Sequence, residues 1–192
     1  WLFRMDIRCR KFKADGLWIP AVWLAIIGSR PVNSWFALVG LGAGGGSEGS
    51  PANFVVMFLL ILGATLVLRH RGLSWGAVIQ KNKALFLIYR YFALSALWSE
   101  YPLPCFKRVF KDFGCVAVAL LLLTERDPAT AVRTAFVMVS YVLFPLSVVL
   151  NKYFPEIGRD YSVAGVQMFT GVTTQKNSLG QMVLVLGMVI LW

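Results

Sequence analysis

The chain consists of runs of apolar residues separated by short polar stretches. Six runs extend over 17–27, 53–68, 84–98, 109–124, 131–150 and from 178 to the end. A transmembrane helix needs about 20 mostly apolar residues, and only helices or closed barrels satisfy the backbone in lipid. The runs lack the alternation of apolar and polar positions that is typical of barrel strands. The pattern therefore predicts an all-α, polytopic bundle of transmembrane helices with about six spans.

The composition supports a membrane protein. Hydrophobic residues make up 58% of the chain and charged residues 15%, whereas soluble domains are typically about 45–50% apolar and about 25% charged. These values exclude a disordered chain and disfavour an ordinary soluble domain. The net charge of +10 then indicates membrane topology rather than nucleic-acid binding. We expect a single transmembrane domain over 1–192, with membrane lipids and not nucleic acid as its surroundings.

Lysine and arginine are distributed unevenly between the predicted loops. The stretch before the first run and the loops 69–83 and 125–133 carry more of them than the intervening loops. Positively charged loops remain in the cytoplasm, so we expect a cytoplasmic N-terminal stretch and extracytoplasmic positions for Arg108, Arg159 and Lys176. The chain begins and ends with Trp, and its last run is unbroken. This predicts a fragment of a longer chain.

Two features that look like cofactor or metal sites have simpler interpretations. The glycine-rich stretch 40–51 contains the spacing of a dinucleotide-binding loop, but the acidic residue that such a site needs about 20 residues later is missing. We interpret this stretch as an extracytoplasmic linker. The chain has one histidine and three cysteines, without the spacing of a metal site. The sequence therefore predicts neither a cofactor nor a metal.

Polar residues within or beside the apolar runs are the candidates for function. Arg90 lies in the middle of the third run, where a charge usually faces a partner or a watery cavity. We expect it either to bind carbonyls of a neighbouring helix or to line a polar pathway. Lys176 and Asn177 lie where the sixth run begins, and we expect Asn177 or Ser178 to cap that helix. The free N–H groups beside Lys176 form a candidate anion site, unless the lysine only extends to the membrane surface.

Three motifs carry a resemblance to a known family. The third run ends in LWSEYP and is followed by Lys107 and Arg108, and GVTTQKNSLG occupies 171–180. In this order, and with the opening LWIPAVWLAIIGSRPVNSW, the motifs resemble the O-antigen ligase and exopolysaccharide polymerase superfamily of bacterial envelope proteins. Gln175 stands where family members often carry histidine, so a possible proton carrier is missing.

The resemblance implies a metal-independent glycosyltransferase in the bacterial inner (cytoplasmic) membrane. The donor would be an oligosaccharide on undecaprenyl diphosphate, and the acceptor a glycan or a lipid. Fixed cations stabilise an anionic leaving group. We therefore expect the substrate to be bound by Arg108, Arg159, Lys176 and Asn177, with Arg90 as a further candidate. Arg108 and Lys176 are also candidate catalytic residues, and the base for the attacking hydroxyl is not evident. The alternatives are a transporter or a lipid-linked sugar flippase, in which Arg90 lines the path, and a membrane scaffold without chemistry.

Overall fold

The computed structural model describes residues 16–38, 51–162 and 165–192. These residues form nine α-helices, one 3-10 turn and one two-stranded sheet, and 78% of them are helical. The mostly helical fold predicted from the sequence is thus confirmed for the described part of the chain. The predicted cytoplasmic N-terminal stretch and the glycine-rich linker lie outside the described residues, apart from Pro51, which begins a helix.

Each of the six apolar runs contains a helix, and the short elements lie between them. In chain order the elements are α1 (Trp18–Ile27), α2 (Val32–Leu38), α3 (Pro51–His70), α4 (Trp75–Lys81), α5 (Lys83–Ser95), a 3-10 turn (Ala96–Trp98), α6 (Pro102–Leu123), α7 (Pro128–Tyr153), α8 (Pro155–Gly158), β1 (Arg159–Tyr161), β2 (Gln167–Phe169) and α9 (Lys176–Leu191). The two strands pair antiparallel as a hairpin between α8 and α9. The sequence pattern did not predict this hairpin.

The number of candidate membrane spans differs from the predicted six. Among the described residues, two helices are long and apolar enough to cross a membrane, Ala52–His70 within α3 and Pro128–Tyr153. The helices α1, α5 and α9 have 10, 13 and 16 residues. At about 1.5 Å per residue they reach only ~15–24 Å, against a hydrocarbon core of about 30 Å. The longer α6 carries four charged residues in its first half. Two apolar helices are consistent with association with a membrane.

The short helix α1 lies at the centre of the packing. Its Ile19 and Trp23 are buried in a cluster with residues of α3 and α6. Residues on other sides of α1, including Ala21 and Leu24, pack against a second cluster formed by α7 and α9. A helix that is apolar on all sides is normally buried in this way. Thus α1 joins the α3–α6 half of the molecule to the α7–α9 half.

Helix α6 approaches α1 and α3 closely at Gly114. A Cβ atom at this position would lie 2.3 Å from Cη2 of Trp23 and 2.7 Å from Cδ1 of Ile61. Both neighbours are buried in the same cluster, and a close-packed core has little room to accommodate an added methyl group. Glycine is therefore required here for packing.

Helix α7 begins with a capping motif. The Asp127 carboxylate accepts a hydrogen bond of 3.3 Å from the backbone N–H of Thr130, and the Thr130 hydroxyl donates to the same carboxylate. Pro128 follows at the first helical position, where its missing N–H costs nothing. The hydrogen bonds from the Thr130 side chain and backbone lower the pKa of Asp127. Local sequence alone accounts for this helix start.

Candidate functional site

A cleft of about 940 Å³ lies between α1, α3, α6, α7 and α9. Its walls are largely apolar, with contributions such as Leu24, Phe54, Phe110, Leu143 and Leu186. A concave site of this size with mostly apolar walls and a few polar groups is typical of ligand-binding clefts. The polar groups of the lining therefore indicate what kind of ligand it suits.

Most polar groups of the cleft come from two distant parts of the chain, and Ser29 and Asn53 line it as well. Helix α6 contributes Lys107, Arg108 and Lys111, together with the carboxylate of Asp112. The segment that leads into α9 contributes Thr173 and Thr174, and the first turn of α9 contributes Ser178. Three cations against one carboxylate favour an anionic ligand, and hydroxyl groups are able to bind its oxygen atoms. The cleft thus combines a cationic edge with an apolar interior.

Arg30, at the end of α1, holds the segment between α8 and α9 in place. Its Nε donates to the carbonyl of Thr173 over 2.9 Å, and its Nη2 donates to the carbonyl of Ile157. The same Nη2 lies 3.3 Å from Oγ1 of Thr170. The backbone N–H of Arg30 donates to the carbonyl of Val172 over 2.9 Å. One side chain and its own backbone thereby hold both ends of this segment.

The charge of Arg30 makes these bonds strong. Burial lowers the pKa of Arg30, and the nearby carboxylate of Asp160 raises it. A guanidinium remains protonated in proteins, so its bonds to carbonyl oxygens are charge-assisted. Sequence patterns gave Arg30 no role, because its partners Ile157 and Thr173 lie 127 and 143 residues away along the chain. The only local signal was a cation in the Gly-Ser-Arg-Pro stretch that ends α1.

The same segment is also anchored to α7. Gly171 has a positive φ of 53°, and a Cβ atom there would lie 2.0 Å from Oγ of Ser147. Its N–H donates to Oδ1 of Asn151 over 3.0 Å. The hydroxyl of Thr173 donates to the carbonyls of Thr170 and Gln175. These contacts hold the turn in place, and it presents Thr173 and Thr174 to the cleft.

A second, smaller pocket of about 230 Å³ is lined in part by the same segment. Its lining includes two guanidinium groups, two carboxylates and the hydroxyl groups of two threonines. These residues are Arg30, Arg159, Glu156, Asp160, Thr170 and Thr174. Nε of Arg159 donates to the carbonyl of Asn151 over 2.9 Å, and its guanidinium lies 5.6 Å from the ring centre of Phe169. Thr174 lines both the pocket and the cleft.

The structure places the predicted site residues at four separate positions. Arg108 lies in the cleft and Arg159 in the smaller pocket. Lys176 and Asn177 are exposed in the first turn of α9 and are not part of the lining of either cavity. Arg90 is exposed on α5 and, within the described residues, binds no neighbouring carbonyl. The cations that accompany Arg108 are thus Lys107 and Lys111, which the sequence interpretation had not selected.

The start of α9 differs from the prediction. The helix begins at Lys176, and Gln175 occupies the N-cap position with an extended backbone. Asn177 and Ser178 lie inside the first turn, so the prediction that one of them caps the helix was wrong. The preceding turn, in which Thr173 binds the carbonyl of Gln175, sets the start of the helix earlier than local propensity indicates.

Comparison with known proteins identifies no relative. No family model matches the chain, and no curated protein or solved structure matches it either. Within the described ranges, no three potential metal ligands lie together. The function is therefore inferred from the sequence motifs and from the chemistry of the two cavities.

Proposed function

We propose that the protein is a membrane glycosyltransferase of the O-antigen ligase or polymerase type. It would transfer or polymerise an oligosaccharide from undecaprenyl diphosphate at the extracytoplasmic face of the bacterial inner membrane. In this proposal the chain is multi-pass and the shorter apolar helices also lie within the membrane. The acceptor would be a glycan or a lipid.

The observation that carries this proposal is that Lys107 and Arg108, which follow the motif at 97–102, line the same cleft as residues of the motif at 171–180. The motif at 97–102 leads directly into α6, whose Lys107 and Arg108 line the cleft. The motif at 171–180 supplies Thr173, Thr174 and Ser178 to the same cleft. These stretches lie far apart in the sequence, and both carry the resemblance described above. Their meeting is expected if both serve one reaction.

The chemistry of the cleft suits a lipid diphosphate. The cations of α6 are placed to bind the two phosphates and to stabilise the negative charge that develops as the sugar–phosphate bond breaks. The apolar walls of α1, α3 and α7 suit a hydrocarbon chain, whose burial stabilises by about 0.8 kcal/mol for each CH₂ group. A cleft that is cationic at one edge and apolar inside matches both parts of such a carrier.

The test is a transfer assay with purified protein and an undecaprenyl-diphosphate-linked oligosaccharide. Arg108→Ala is expected to lower product formation about tenfold, because a hydrogen bond to a charged group contributes about 1.5–3 kcal/mol. Lys176→Ala is expected to lower it less, since Lys176 lies outside the cleft lining. The matched control is Arg133→Ala, an exposed arginine on α7 outside both cavities.

The same assay separates the proposal from its alternatives. A flippase would move the lipid-linked oligosaccharide across a vesicle bilayer without forming a glycosidic bond. A scaffold would do neither. Equal product from Arg108→Ala and Arg133→Ala, at equal abundance in the membrane, would show that the α6 cations do not bind the donor.

A further inference from the structure

We infer that the smaller pocket beside Arg30 binds the sugar acceptor, with Glu156 as the base that takes the proton of its attacking hydroxyl. This inference rests on the proposed function, since it assigns the second substrate of that reaction. The chemical class is a neutral carbohydrate that presents a free hydroxyl group. The sequence alone offered no base for this step.

The position of the pocket relative to the cleft supports this assignment. A transfer reaction requires donor and acceptor to meet at one carbon atom, so their sites must touch. Among the described residues, Thr174 is the one that lines both cavities. The bonds of Arg30 to Thr173 and Ile157 hold the segment between them in place. Two substrates bound in the two cavities would therefore meet beside Thr174.

The charges of the pocket distinguish it from the cleft. Two guanidinium groups, Arg30 and Arg159, face two carboxylates, Glu156 and Asp160. These formal charges balance, so the pocket does not favour a diphosphate as the cleft does. Carboxylates accept hydrogen bonds from hydroxyl groups, and guanidinium and threonine groups donate to hydroxyl oxygens. Such a mixture of donors and acceptors suits a neutral sugar.

The hairpin beside the pocket adds an aromatic surface. Arg159 pairs with Phe169 and Tyr161 pairs with Gln167, so these four residues share one face of the ribbon. Tyr161 is 66% exposed and Phe169 is 53% exposed. The C–H faces of a sugar ring pack against such aromatic rings, while the sugar hydroxyls reach the amide of Gln167 and the guanidinium of Arg159. The acceptor would thus extend from the pocket along the hairpin.

Glu156 is the carboxylate that is available to act as the base. It is exposed and makes no hydrogen bond or ion pair with the described residues. Asp160 is already engaged, since its Oδ1 accepts the N–H of Tyr161 over 2.8 Å and its charge acts on Arg30. A base must have a free lone pair within reach of the proton that it removes. We therefore assign proton transfer to Glu156 and hydroxyl binding to Asp160.

The proposed transfer of the sugar to the acceptor hydroxyl needs no further reactant. The acceptor oxygen forms a bond to the anomeric carbon of the donor sugar as the bond from that carbon to the diphosphate oxygen breaks. The electron pair of the broken bond leaves with the undecaprenyl diphosphate. The hydroxyl proton passes to the Glu156 carboxylate and is then released to solvent.

The experiment measures acceptor dependence and acceptor binding separately. Neutral trisaccharides of glucose, galactose and mannose serve as acceptors and as ligands in saturation-transfer NMR with detergent-solubilised protein. Glu156→Gln is expected to lower kcat about 100-fold, the lower range for loss of a general base, with donor affinity unchanged. Asp160→Asn is expected to raise the acceptor KM about tenfold and to weaken the saturation-transfer signal. The matched control is Asp127→Asn, an exposed carboxylate at the start of α7 outside both cavities.

The outcomes separate this inference from the proposed function. If wild-type protein transfers sugar and both pocket variants behave like Asp127→Asn, the acceptor site is elsewhere and the inference is wrong, although the function stands. If trisaccharides bind wild-type protein and lose binding in Asp160→Asn, but transfer never occurs, the pocket is a sugar site and the function is wrong. If no trisaccharide binds or reacts, the carbohydrate assignment is refuted.

Discussion

Arg30→Met is expected to loosen the segment that separates the two cavities. Methionine keeps an unbranched apolar stem but removes the donors to the carbonyls of Thr173 and Ile157. A hydrogen bond to a charged group contributes about 1.5–3 kcal/mol, and two are lost. Since these groups are only partly buried, water replaces some of this energy. We expect a net loss of about 3 kcal/mol, which corresponds to about a hundredfold increase in local opening.

Hydrogen exchange measures this opening directly. The N–H groups of Thr170 and Gly171 both donate to the carbonyl of Gly158, over 2.8 and 2.9 Å, and exchange only when the segment opens. In Arg30→Met their exchange is expected to be about a hundredfold faster. Arg30→Lys is expected to restore part of the protection, because an ammonium group retains the charge but not the planar fork.

The control for this prediction is Arg133→Met, at an exposed arginine on α7. It removes the same side chain without touching the segment between α8 and α9. If Thr170 and Gly171 exchange at the same rate in the Arg30→Met and Arg133→Met variants, Arg30 does not hold this segment. The role given to it at the boundary of the two cavities would then be wrong.

Two further predictions concern stability. Gly114→Ala is expected to lower the free energy of unfolding by about 1–3 kcal/mol, because the new Cβ overlaps Trp23 and Ile61. The control for thermal unfolding is Gly187→Ala, where a Cβ meets nothing within 4 Å. Equal melting temperatures of the two variants would contradict the prediction. The pKa of Asp127 is lowered in the folded protein, whereas the unfolded-state pKa is about 3.9. The ionised side chain therefore stabilises the fold at pH values above about 3.9, and this contribution is lost as the pH falls through the folded-state pKa. Asp127→Asn is expected to remove that contribution. The difference in melting temperature between wild type and variant should then shrink as the pH falls from 6 to 2, and an unchanged difference would refute the assignment.

The sequence by itself determined the helices. Each apolar run contains one, because a continuous apolar stretch and local capping decide helix formation over short distances. Asp127 and Pro128 illustrate this, since a cap and a proline at the first position begin α7. The apolar runs did not determine the number of candidate membrane spans. Runs that looked continuous, such as 17–27, form helices of only 10 to 16 residues. Helix α6 is longer, but its charged residues lie within the helix.

The composition of the two cavities was decided by tertiary structure. Arg108 was selected from a motif, but Lys107 and Lys111 gain their role beside it only because α6 and the start of α9 line the same cleft. The hairpin escaped prediction because its strands have three residues each and depend on pairing with each other. Arg30 escaped it because a hydrogen bond across 143 residues leaves no periodic trace in the sequence. Such contacts exist only once α1 is packed between the two halves of the molecule.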